Sequence, residues 1–243
     1  MWQSAARRYQ LSARLFSTLE NAASAALAAD KSDDPDAQAR IAYWLFACCA
    51  IVFGIVVLGG ATRLTRSGLS MVDWKPFSIM PPTTDAEWAV EFDRYKGYPE
   101  YQELGREMPL SEFKFIYYME FSHRLLGRFL GVFFGVPALV LGARGYLKPA
   151  MQRRFGLLFG LGAVQATVGW WMVKSGLETT VHSYNDLPRV SPYRLATHLT
   201  TAFVIYSLLL VTGMQTLARS KALRLMASIQ HADAFSGAPR HLR

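Results

Sequence analysis

The stretch YYMEFSHRLLGRFLG, residues 117–131, heads an apolar run yet carries Glu120, His123, Arg124 and Arg128. Ionisable groups in a membrane span are costly and by default mark function. A second histidine, His198, lies in another apolar run, LATHLTTAFVIYSLLLVTGMQTL; His182, His231 and His241 lie outside such runs. Counted from Phe115 and Pro192, His123 lies about eight residues deep and His198 about six, so at ~1.5 Å per residue both sit roughly 9–12 Å below one surface. Two imidazoles at one level on parallel helices are the geometry that holds a metal between helices, and haem iron takes histidine as an axial ligand. Hydrogen bonding to neighbouring helices is the alternative. It accounts for a lone histidine better than for a level pair beside glycine-bearing helices.

Glu120 precedes His123 by one helical turn, so the two face the same way. Two readings of this carboxylate stay open. It forms an intrahelical pair with Arg124, or it transfers protons beside the iron. Haem propionates need cations at an aqueous rim. Arg63 and Arg66 follow the first apolar run and Arg194 opens the last, all on one side, with Arg124 nearby. Ordinary interfacial anchoring accounts for such arginines as well.

These groups need elements to place them. Ile41–Ala61 and Phe155–Val173 contain no charged residue, and Leu195–Leu217 contains one histidine and no formal charge. A helix crosses a bilayer in about 20 apolar residues. With the run 115–141, four spans are expected: about 41–61, 115–141, 155–173 and 195–217. The fold class is all-α, a polytopic four-helix membrane bundle. The formal charge of +8 over 243 residues does not point to nucleic acid, because the basic residues bracket the spans. The short loop holding Arg144, Lys148, Arg153 and Arg154 has no acid, whereas acids outnumber bases between Thr62 and Glu112. The positive-inside rule then puts both termini on the inner side.

Residues 1–19 carry Arg7, Arg8 and Arg14, several serines and no acid, the pattern of a mitochondrial presequence. Residues 20–40 read as a linker and 218–243 as a polar basic tail. In the first outer loop, Thr84 with Glu87 predicts a capping box, and Trp88, Phe92 and Tyr95 form an apolar stripe. An extra short helix lying over the bundle mouth is expected there. Gly127, Gly131 and Gly135, and Gly156 with Gly160, are spaced for close helix packing or for a slot that takes a flat ligand. Cys48 and Cys49 read as buried apolar residues.

Four blocks, GGATRLTRSGLSMVDWKP, EFKFIYYMEFSHRLLGR, QATVGWWMVKSGLE and VSPYRLATHLTTA, resemble the N-terminal half of mitochondrial-type haem A synthases, in order and with similar loop lengths. The resemblance runs from about Ala42 to about Leu217. It implies oxidation of a haem O ring methyl to formyl, for cytochrome c oxidase assembly. His123 and His198 fall on that family's N-terminal histidine pair and Glu120 on its essential glutamate. A second four-helix half holding haem b, a ferredoxin-type electron donor, lipid surroundings in the mitochondrial inner membrane, and contacts with haem O synthase and oxidase assembly proteins are implied in the same way. Two departures stand out. The cysteine pair of some bacterial relatives is absent from the first outer loop, and Ala218–Arg243 offers no further span. The chain is therefore expected to act with a second half or by self-association. The alternative expectation is a non-catalytic bis-histidine membrane cytochrome or assembly subunit.

Overall fold

The computed structural model describes residue 17, residues 30–71, residue 73, and residues 80–103, 107–177 and 189–236. The expected presequence lies outside this set, apart from Ser17. So do residues 20–29 of the expected linker and the centre of the last outer loop, with His182. Among the described residues the structure is helical, with no strand. It comprises α1 (Pro35–Leu64), α2 (Asp85–Lys96), α3 (Pro99–Glu103), α4 (Leu110–Ala143), α5 (Pro149–Leu177) and α6 (Pro192–Ser236). Four of these, α1, α4, α5 and α6, are long and apolar enough to cross a membrane.

Local chemistry explains the ends. Asp34 caps α1 by accepting from the Asp36 N–H, and Pro35 occupies the first helical position. α1 closes with paired hydrogen bonds, Ser67 N–H to Thr62 O at 2.8 Å and Arg66 N–H to Arg63 O at 3.2 Å. This Schellman closure needs a left-handed residue, usually glycine. α4 uses Gly145 there, at φ 78°, but α1 uses Arg66, at φ 54°. Thr84 and Glu87 form the predicted capping box of α2. The tight turn between α4 and α5 brings Gln38 Nε2 within 3.3 Å of the Tyr146 carbonyl.

α1 and α5 each pack against both α4 and α6. α4 and α6 therefore stand on the diagonal of the bundle. Pro137 lies inside α4 and removes the N–H that would have bonded the Phe133 carbonyl. Trp44 of α1 supplies the missing donor, its Nε1 lying 3.0 Å from Phe133 O. The same indole stacks on Phe134 at 5.3 Å and meets Phe155 edge-on at 5.6 Å. This inner core also contains Leu45, Cys48, Leu158 and Leu209. A second apolar cluster caps the outer end. Trp88, Phe92 and Tyr95 of α2 pack on Phe113 and Tyr117 at the start of α4. The level of His123 falls between these two clusters.

The fourth long helix runs on to Ser236, well past the apolar run that ends at Leu217. Basic residues of this extension meet acids that precede or open α1. Arg219 reaches Asp33, which Lys148 of the turn between α4 and α5 also meets, Arg224 lies 2.7 Å from Asp36, and Ser220 Oγ donates to the Pro35 carbonyl at 2.6 Å. The segment read from composition as a tail thus begins as docked helix, because its charges find partners.

Candidate functional site

His123 lies on α4 and His198 on α6, the two helices of that diagonal. Both imidazoles are seated in the same way. A Cβ placed on Gly59 of α1 would lie 2.8 Å from His123 Cε1, and one on Gly169 of α5 would lie 2.9 Å from His198 Cε1. Real side chains do not approach that closely, so only glycine lets either ring lie against the neighbouring helix. The nearest backbone acceptors are the carbonyls of Ile55 and Gln165, four residues before those glycines. Nδ1 of both rings is nevertheless buried without a completed hydrogen bond. Gln165 also steadies α6, donating from Nε2 to the His198 carbonyl at 3.0 Å. Sequence reasoning found both histidines but missed the glycine seats and Gln165. The GG pair at 59–60 and the GWW block at 169–171 carried the signal, but nothing in one sequence pairs a glycine with a histidine on another helix.

The glycine stripe of α4 and α5 has a narrower role than its spacing suggests. A Cβ on Gly135 would meet Phe159 at 2.9 Å, a true close approach. Gly127, Gly131, Gly156 and Gly160 face nothing within 4 Å.

Glu120 is 3% exposed. Its Oε2 accepts from Ser70 Oγ and the Met71 N–H, both at 2.8 Å, and its Oε1 accepts from Arg124. Arg124 continues outward to the carbonyls of Met71 and Asp73, at 3.0 and 3.4 Å. The intrahelical pair therefore exists, and it fastens the loop after α1 onto α4 one turn outside His123. The other arginines lie at the outer rim. Arg194 donates to the Trp171 carbonyl at 2.8 Å and stacks over that indole at 4.4 Å. Arg63 and Arg66 are exposed at the outer end of α1. Among the described residues no group of three or more His, Cys, Asp or Glu side chains is placed to hold a bare metal ion. Two imidazoles alone suit a metal whose remaining ligands come from a macrocycle.

Residues 42–238 match the COX15-CtaA family of cytochrome oxidase assembly proteins. The chain belongs to this family. It is 52% identical to heme A synthase COX15 of Arabidopsis thaliana over 74% of this chain and 39% of that protein. It is 48% identical to the Homo sapiens COX15, covering 74% of this chain and 44% of the human protein. A heme A synthase–mitochondrial ferredoxin fusion protein of Schizosaccharomyces pombe is 44% identical over 78% of this chain and 31% of the fusion. The chain thus spans well under half the length of these curated relatives. No solved structure matches it.

Proposed function

We propose that this chain is the haem-O-binding four-helix unit of a haem A synthase, with His123 and His198 as the axial pair that holds the substrate iron. The observation that carries the reading is the matched seating of the two imidazoles. Each lies on a glycine of a neighbouring helix, each keeps a buried Nδ1, and the two stand on the diagonal helices of the bundle. Such rings are fixed in orientation before any ligand arrives, which lowers the cost of binding. Haem O, once held, presents the ring methyl that becomes the formyl group. In this reading Glu120 is the catalytic carboxylate, one turn outside the iron ligand. Its three donors hold it in place, as a positioned group requires. Arg63, Arg66 and Arg194 are the rim cations for the propionates. Arg124 serves them less directly, since it is engaged with Glu120 and the loop carbonyls.

The family match and the heme A synthase relatives support this activity, and the ferredoxin fusion supports a ferredoxin-type donor. A second four-helix unit, in another polypeptide or another part of a longer chain, would carry haem b and deliver electrons. Haem O synthase and oxidase assembly factors are further proposed partners. The proposed location is the mitochondrial inner membrane, with both termini in the matrix.

One observation favours a second reading, a bis-histidine electron carrier: the Glu120 oxygens are already occupied by loop and arginine donors. Glu120→Gln separates the two. As an enzyme, the variant co-expressed with the second unit keeps its haem spectrum and loses haem A formation. Normal haem A formation in the variant would leave the carrier reading. His123→Ala and His198→Ala should each deplete bound haem in the purified protein, and unchanged absorbance spectra in both would refute the ligand assignment.

A further inference from the structure

The outer cap holds a second buried carboxylate. Glu100, in α3, is 7% exposed, and Tyr95 Oη donates to its Oε2 at 3.3 Å. The Tyr95 ring is 1% exposed and stacks on Phe113 at 5.3 Å. Phe113 and Glu120 lie on one face of α4, two turns apart, or ~10 Å along the axis. A packed series therefore runs from Glu100 through Tyr95 and Phe113 to Tyr117, 5.9 Å from Phe113 and one turn before Glu120 on α4. The two carboxylates are unlike in their surroundings. Glu120 has a guanidinium and two further donors, whereas Glu100 has a phenol and an aromatic wall.

Among the described residues, the titratable and charged groups that act on Glu100 are Tyr95 from α2, Glu120 from α4 and Arg66 beyond the end of α1. Arg66 is held there in the left-handed conformation that usually takes glycine, at φ 54°. Strain retained at a non-glycine residue points to a use for its side chain.

We propose that Glu100 is a proton-exchanging positioning residue of the outer cap, whose charge sets the electrostatic field on Glu120. A proton from outer water binds the carboxylate and is later returned; no electron moves and no other bond changes. Burial pushes the Glu100 carboxyl up to about 7, the nearby Glu120 charge adds to this, and Tyr95 and Arg66 oppose it. Protonated, Glu100 presents no charge to Glu120. Ionised, it repels Glu120 and favours the oxidised, more positive state of a haem bound below. The consequence for the haem rests on the function proposed above; the coupling of the two carboxylates does not.

The test is a pH series of infrared spectra on the full chain in lipid nanodiscs. The wild type should show a carboxylic C=O band that disappears as pH rises through about 7, and Glu100→Gln should remove it. Glu120→Gln should move the transition to lower pH, because a like charge is gone. Arg66→Gln should move it to higher pH. No such band in the wild type, a band that survives in Glu100→Gln, or transitions unmoved in both partner variants would overturn the proposal. With haem bound, the reduction potential should fall as pH rises through the same range and lose that step in Glu100→Gln. An intact infrared coupling without haem binding would overturn the function proposed above and leave the carboxylate coupling standing.

Discussion

His123 and His198 acquire their rigidity from residues that have no side chain at all. Filling Gly59 or Gly169 displaces an imidazole without touching its chemistry. Gly59→Val and Gly169→Val are therefore expected to lower the haem-to-protein ratio severalfold while the helical circular dichroism stays intact. Unaltered haem content in both variants would show that the seats are incidental. Glu120 is the opposite case, a side chain with three donors on it. The sequence placed it beside His123 and left its role open between ion pair and proton transfer. The ion pair is present. The loop contacts were not legible, because Ser70 and Met71 lie about 50 residues away in an irregular segment with no period to read.

At the scale of elements, a proline in one helix is answered by a tryptophan in another. Trp44→Phe keeps the ring stacking on Phe134 but leaves the Phe133 carbonyl without its donor. A loss of unfolding stability of about 1–2 kcal/mol is expected from one buried unsatisfied carbonyl, measured by thermal or denaturant unfolding in detergent. The cap has its own pH signature. Glu100 holds its proton more tightly in the fold than in the unfolded chain, where a carboxyl ionises near its ordinary value. Stability from this group is therefore full at low pH and is lost as pH rises through about 7. Glu100→Gln should flatten the fall in unfolding temperature between mildly acidic and neutral pH; an equally steep fall would contradict the assignment. The α2 helix itself was readable, since the capping box and the i, i+4, i+7 aromatic stripe are local patterns. Glu100 was not, because a five-residue helix has too little sequence to show a buried face.

Across the whole molecule, Asp33 ties three parts of the chain together at the inner end. It meets Lys148 from the turn between α4 and α5, and Arg219 from α6, just before α1 begins. Burial pushes its carboxyl up, but Arg219 and Lys148 outweigh burial and hold it below the usual carboxylate range. A depressed carboxyl contributes stability above its ordinary range and loses it as pH falls through its lowered value. Asp33→Asn should lower unfolding stability at pH 7 by about 1–2 kcal/mol, and the difference from wild type should shrink under acid. An undiminished difference under acid would mean that the ion pairs are not its source. Span number and the capping of α2 follow from local composition and helical spacing, which act within one segment and need no neighbour. The diagonal placement of α4 and α6, the glycine seats, the Trp44 repair and the docking of the α6 extension on Asp33 are agreements between distant segments. Packing in three dimensions sets them, because a close approach or a freed carbonyl has meaning only once a second helix is beside it.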